Sequence, residues 1–196
     1  QNLLDSMIDY VHGNAIELDY DGNILISSRH LDEITKIDRN ECEIIWRLGG
    51  KQNEFNFTND PEKFNYQHAI RRLANGNIIL FDNGNFHSPP HSRAVEYTLD
   101  EINKTATLAW QYRNTPEIYG LAMGFAQRLD NGNTLISWGS THPSMTEVTP
   151  SGEITLELSL PPNLFTYRAV KFDWNGPSYI DPQAGYYPTA YNLGQN

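Results

Sequence analysis

The sequence predicts an all-β protein folded as a β-propeller, and three observations carry that expectation. A glycine-ended turn recurs at Asp21-Gly22, Asn75-Gly76 and Asn131-Gly132, about every 55 residues. Short apolar runs flank each turn, such as Ala15 to Leu18 and Ile24 to Ile26 around the first. The composition, with 14 Gly, 11 Pro, 11 Tyr and 4 Trp, suits many short strands joined by turns. A β-sandwich with similar hairpins is the alternative. The repeated order of turn, strand and Trp-bearing fourth strand (Trp46, Trp110) favours blades.

The elements follow in order. Asn75-Gly76 reads as a type I′ hairpin turn, which needs φ > 0 at both central residues. In the first repeat, Glu33 to Asp38 alternates as a third strand, and Glu43 to Leu48 is a fourth, stopped by Gly49-Gly50. Lys51 to Phe64 is polar and Asn-rich and reads as a surface loop. In the second repeat, the third strand is Ala94 to Leu99 and the fourth Thr107 to Tyr112. A long loop from Gly84 to Arg93 holds Pro89-Pro90 and two histidines. The third repeat continues through Met145 to Val148, a Pro150-Ser151-Gly152 turn and Ile154 to Leu158. Phe165 to Phe172 reads as one more strand. Blades are therefore expected at about 12–50, 66–113 and 121–174, within a partial propeller over 1–174. An irregular tail is expected over 175–196. Propellers close with about four to eight blades, so three need further blades from a longer chain or a second copy.

Composition bounds the chemistry. The chain has 196 residues, with 14 Lys+Arg against 24 Asp+Glu and a formal net charge of −10. That balance gives no electrostatic case for nucleic acid or an anionic membrane. No apolar run reaches the roughly 20 residues of a membrane-spanning helix. Gln1 to Tyr10 lacks the basic and apolar regions of a signal peptide. Cys42 is the only cysteine, which excludes an internal disulfide.

The candidate site is His12, Arg29 and His68. Both histidines are expected at the start of a first strand, and Arg29 at the end of the second strand of the blade that His12 opens. Antiparallel pairing puts these positions at one end of the blades, around one mouth of the channel. The third repeat has Gly124 where the second has His68, so the blade itself does not demand a histidine there. Two imidazoles and a guanidinium suit a tetrahedral anion better than a metal, because zinc calls for more His or carboxylate ligands and no adjacent Arg. A histidine can also carry a transferred group covalently. His30, His87, His91 and His142 read as solvated loop residues. No Ser-His-Asp order, Walker loop or dinucleotide fingerprint occurs.

Around these residues the chain resembles the bacterial arylsulfotransferases that work without 3′-phosphoadenylyl sulfate. The segments that match are His12-Gly13-Asn14-Ala15-Ile16, Ile26-Ser27-Ser28-Arg29-His30, Ile45-Trp46-Arg47-Leu48-Gly49-Gly50, Gln67-His68, Phe81-Asp82-Asn83-Gly84 and Ser92-Arg93-Ala94-Val95-Glu96-Tyr97. Asp130 to Gly139 and Tyr167-Arg168-Ala169 look like the family's closing blade. The resemblance spans roughly residues 9 to 174 and is weak in the loops. It implies a six-bladed propeller, periplasmic or secreted, that moves a sulfuryl group from a phenolic sulfate ester to another phenol. No cofactor, nucleotide or metal is implied, and the partners are the small aryl sulfate and phenol. By motif, His68 resembles the histidine that is transiently sulfated, and His12 and Arg29 those that hold the sulfuryl oxygens. The family's further histidine, from an earlier blade, has no counterpart here. The other class of reading is a non-catalytic propeller that binds an anionic or aromatic ligand, or a protein, at the same mouth.

Overall fold

A computed structural model describes residues 8–173, and the expected tail over 175–196 lies outside them. The described chain is all β apart from a single 3₁₀ turn, Arg29–Leu31. The first sheet is an antiparallel meander of β1 (Gly13–Leu18), β2 (Ile24–Ser28), β3 (Glu33–Ile37) and β4 (Ile44–Gly49). The second holds β5 (Asn56–Thr58), β6 (His68–Arg72), β7 (Ile78–Asp82), β8 (Arg93–Asp100) and β9 (Thr105–Tyr112), in the order β5-β9-β8-β7-β6. The third is a meander of β10 (Phe125–Arg128), β11 (Thr134–Ser137), β12 (Met145–Val148) and β13 (Ile154–Leu158). First strands stand side by side: β1 packs on β6, and β6 on β10. The result is a propeller-like array of three blades.

Three local readings are corrected. The repeated turns are not type I′. Asn75 has no positive φ, whereas Gly76 sits at φ 87°. The Gly76 N–H donates to the Leu73 carbonyl, and Leu73 N–H to the Asn77 carbonyl. That is a type I turn followed by a left-handed glycine, the three-residue hairpin loop. The pattern repeats with Gly22, Gly132 and Gly152. The Asn75 side chain adds its own bond to the Asn77 N–H (3.0 Å), which a type I turn welcomes.

The second correction is that Lys51 to Phe64 is not wholly surface loop. β5 pairs in parallel with β9 and gives the second blade a fifth, outer strand. Phe55 and Phe64 are buried there, Phe55 against Trp46 and Phe64 against Tyr97. Burial of these rings outweighs the polar composition around them.

The third is that Phe165 to Phe172 forms no strand. It lies along β10, whose other edge is taken by β11. The Gln127 amide both donates to the Lys171 carbonyl and accepts from its N–H, each at 2.8 Å. A side chain thus bonds the segment where a backbone ladder was expected.

The core lies between blades. Leu25, Ile34, Trp46, Ile70, Leu80 and Val95 fill the space between the first two. Ile79, Phe81, Ala126, Ile136 and Trp138 fill the next. β7 is buried on both faces, which is why it reads as an unbroken apolar run, Ile78 to Phe81. Both ends of the array remain apolar and exposed: Ile16, Leu18 and Tyr20 at one, Ile154, Leu156 and Leu158 at the other. Among the described residues no helix is long and apolar enough to cross a membrane.

Candidate active site

His68 opens β6 and is buried. Its Nδ1 lies 2.7 Å from Asn83 Oδ1. The Asn83 amide is oriented by two bonds that its Nδ2 donates, to the Gly120 and Met123 carbonyls. Its Oδ1 can therefore only accept. His68 must hold its proton on Nδ1, which leaves Nε2 with a free lone pair. Burial drives the His68 pKa down to about 4, helped by the Arg29 and His12 charges and opposed by the bond to Asn83. At neutral pH the imidazole is uncharged.

His12 stands just ahead of β1, half-exposed, with its ring 6.2 Å from that of His68 and edge-on to it. Its Nδ1 bonds the Asp9 carboxylate. The two histidines do not share a blade position, contrary to the expectation. His12 is ten residues ahead of Gly22, but His68 is eight ahead of Gly76. Tyr66 occupies in the second blade the place of His12, and both adopt a left-handed backbone, with φ 53° and 51°. Asn14 takes the place of His68 in the first blade. It ties the blades together by donating to the Gln67 carbonyl (2.9 Å) and accepting from the Ala69 N–H (3.1 Å). The site thus uses two depths of the same mouth, and left-handed residues at its rim store local strain.

Arg29 follows β2 in the 3₁₀ turn and is buried. Its backbone N–H bonds the His12 carbonyl, which fixes it beside that residue. Nη1 donates to His30 Nε2 at 2.7 Å and Nη2 to the Leu121 carbonyl at 2.9 Å. The guanidinium stacks 4.1 Å from the Tyr66 ring, and Phe86 packs against the same ring. Nε is buried without a hydrogen-bond partner. Burial lowers the Arg29 pKa, yet a guanidinium keeps its charge. A permanent cation with an unmet donor is a receptor for an anion.

The structure therefore brings His12, Arg29 and His68 together at one end of the blades. The open cleft lined by Gln127 to Asn131 and Lys171 to Asp173 lies at the hairpin end, away from them. Asn83, Tyr66 and Phe86 were missed as site residues. Asn83 was the legible one, since Phe-Asp-Asn-Gly follows directly on the buried strand β7. Among the residues read as solvated, His30, His87 and His91 are corrected. Their side chains are only 12%, 3% and 2% exposed. His30 is held by Arg29 and by the Asp9 carbonyl, and His87 and His91 stack on each other. Asp9, His12 and His30 each place a donor atom within 4.8 Å of the others, as a metal set would. The Arg29 cation bonded to His30 opposes a metal there.

The depressed pKa of His68 makes stability depend on pH. The unfolded imidazole binds a proton near 6.5, whereas the folded one refuses it until about 4. The contribution is complete above pH 6.5 and is lost as pH falls through that window, by at most about 3 kcal/mol. Urea unfolding from pH 7 to 4 should show a steeper fall for the wild type than for His68→Asn. Parallel curves would mean that His68 ionises normally.

A family model described as Arylsulfotransferase (ASST) matches residues 1–168. No curated protein matches the chain. Among solved structures, a protein of unknown function from Bacteroides caccae superposes with a TM-score of 0.50 at 15% identity, over 79% of this chain and 48% of that one. Virginiamycin B lyase from Staphylococcus aureus gives 0.48 at 14% identity, over 81% and 44%. An aldose sugar dehydrogenase from Streptomyces coelicolor gives 0.46 at 14%, over 78% and 48%. The chain spans about half the length of these proteins. The likeness to the first supports the fold alone. With most of its length under one family model, the chain belongs to the arylsulfotransferase (ASST) family.

Proposed function

We propose that this chain carries the sulfuryl-accepting half of an aryl sulfotransferase, with His68 as the nucleophile. The observation that carries the proposal is the state of His68: neutral, its Nδ1 proton committed to Asn83, its Nε2 lone pair free beside Arg29 and His12. Nε2 attacks sulfur in line, so that an N–S bond forms while the S–O bond to the phenol breaks. The oxygen of the departing phenolate takes a proton, and His12 is the donor in reach. Positive charge on the sulfated imidazole is met by Asn83 Oδ1. Arg29 stabilises the charge spread over the sulfuryl oxygens. The acceptor phenol then attacks sulfur, the N–S bond breaks, and its proton returns to His12. The exposed Phe86 ring, backed by Tyr66, offers an aromatic surface for a planar ring.

The rest of a six-bladed, periplasmic or secreted propeller belongs to the proposal. The apolar faces at both ends of the array support it, because further blades would cover them. The test is transfer from 4-nitrophenyl sulfate to phenol by the full-length protein, followed by colour release. Binding without turnover would favour the non-catalytic reading.

Asn83 supplies a second test. Asn83→Leu should lower kcat by about 10²-fold with little change in KM, because the tautomer and ring orientation are lost. Asn83→Asp should keep the acceptor but place a negative charge beside His68 and raise its pKa. The acid limb of the pH–rate profile should then move upward. An unchanged limb would remove Asn83 from the mechanism.

A further inference from the structure

Glu62, His87 and His91 form a second cluster, in the long loop after β7 and the segment that packs on it. One donor atom from each lies within 4.8 Å of the others. We propose that these three residues bind a divalent transition-metal ion of the zinc class, clamping the loop that begins directly after Asn83.

The argument rests on where the protons must be. His91 Nδ1 lies 2.9 Å from the Pro89 carbonyl, which can only accept. Nδ1 therefore carries a hydrogen, with Glu117 Oε2 3.8 Å away, and in the neutral ring Nε2 presents a lone pair. That Nε2 is buried and makes no hydrogen bond, and a Glu62 carboxylate oxygen stands 3.5 Å from it. A lone pair facing a carboxylate is repulsive until a cation, a proton or a metal ion, joins them.

His87 also has a fixed proton, although its ligand nitrogen is not empty. Its Nε2 lies 2.9 Å from Asp82 Oδ2. The Asp82 carboxylate also accepts from Arg93 Nε (2.8 Å) and from the backbone N–H groups of Asn65 and Gly84. It is an acceptor throughout, so the His87 proton sits on Nε2 and Nδ1 is left as the ligand atom. Asn65 Nδ2 donates a long 3.3 Å hydrogen bond to it, which an ion would displace. A buried carboxylate behind one imidazole and a carbonyl behind the other are the outer partners that orient metal-binding histidines.

The two rings stack at 4.5 Å. Protonating both would set two cations face to face, whereas one divalent ion satisfies both lone pairs and Glu62. Two His and one carboxylate, leaving a position toward solvent, form a set that zinc accepts. Ligands about 2 Å from such an ion stand about 3.4 Å apart, so the rings, stacked with 19° between their planes, turn out of their stack to aim both lone pairs at one ion. Arg113 competes for Glu62 at 3.5 Å, but it also bonds Glu117 and can stay there. The pocket is closely built. A Cβ on Gly84 would come within 1.9 Å of the His91 carbonyl oxygen and 2.3 Å of His87 Cδ2.

The test is calorimetric titration of Zn²⁺ into the chelator-stripped chain near neutral pH. Co²⁺ in place of Zn²⁺ gives a visible spectrum that reports coordination. The expected result is one ion bound with a micromolar or tighter Kd and an intense tetrahedral-type Co²⁺ spectrum. Glu62→Gln changes one half-exposed oxygen to an amide and should weaken binding at least about 10-fold without unfolding the chain. His91→Ala should abolish it. Asp9→Asn, which disables the cluster at the mouth, should leave it unchanged. Binding no tighter than millimolar, binding indifferent to Glu62→Gln, or loss of the ion in Asp9→Asn would each overturn the proposal.

Discussion

On the proposed mechanism, the full-length wild-type protein is expected to give a stoichiometric burst of 4-nitrophenol with 4-nitrophenyl sulfate, and His68→Asn is expected to abolish it. The substitution keeps a polar side chain but removes the only nitrogen at this position with a lone pair at neutral pH. Without it, no N–S bond forms, and what remains is whatever Arg29 and His12 do for direct attack by water or phenol. Wild-type protein quenched in the burst should carry the added sulfuryl mass on the peptide containing His68. Arg29→Ala should retain that modified peptide but form it about 10²–10³-fold more slowly, the usual effect of losing one preorganised donor in such a site. An undiminished burst in His68→Asn would move the nucleophile elsewhere, with His12 first in line. On the proposal that further blades complete the propeller, residues 1–196 alone should be slow even as wild type. An open channel raises the local dielectric, so the same donors stabilise the transition state less.

Much of this was legible in the sequence because it depends on local chemistry. The glycines at 22, 76 and 132 are required where a hairpin needs a left-handed residue, and all three lie there. The alternation over Glu33 to Asp38 marked β3 as a strand, although β3 and the first five residues of β8 are buried on both faces. What failed depends on long-range packing. The turn type was misjudged because Asn-Gly serves both the two-residue and the three-residue loop, and only the register of the flanking strands decides. β5 was invisible because its three residues gain a partner 49 positions away, in β9. His12 and His68 lie near each other at one end of the blades, as expected, but they are not equivalent, since the offset of two residues matters only once the blades sit side by side. The buried state of His87 and His91 follows from the Gly84–Arg93 loop folding back on Asp82, which no spacing rule announces. Asn83 shows the opposite case. Its place beside a buried strand end was readable, but its role needed the orientation of its amide.

Arg93→Ala should be among the most destabilising single substitutions in the chain, by about 3–5 kcal/mol. Arg93 is 1% exposed, and each of its five N–H donors has an acceptor. Nε bonds Asp82, Nη1 bonds Asp60 (3.0 Å) and Gln111 (2.9 Å), and Nη2 bonds Asp60 (3.1 Å) and the Lys63 carbonyl. Burial works against the charge, but Asp82 and Asp60 more than offset it and raise the Arg93 pKa. Tyr97, its phenol pushed up by burial and by Asp60, donates to the same Asp60 carboxylate. Alanine would leave two carboxylates, Asp60 and Asp82, buried without their cation. For a domain of this size the loss corresponds to a fall in Tm of roughly 6–20 °C. Lysine should recover only part, since an ammonium has three donors and no fork. The pH dependence gives an independent check. In Arg93→Ala the stranded carboxylates gain raised pKa values, so the folded state binds more protons than the unfolded one over that range. Stability of the variant should therefore fall as pH rises through it, and the gap to wild type should narrow toward acid. Thermal unfolding followed by circular dichroism between pH 5 and 8 measures both effects. A gap that stays under about 1 kcal/mol, or that widens as pH falls, would show that Arg93 does not anchor this blade.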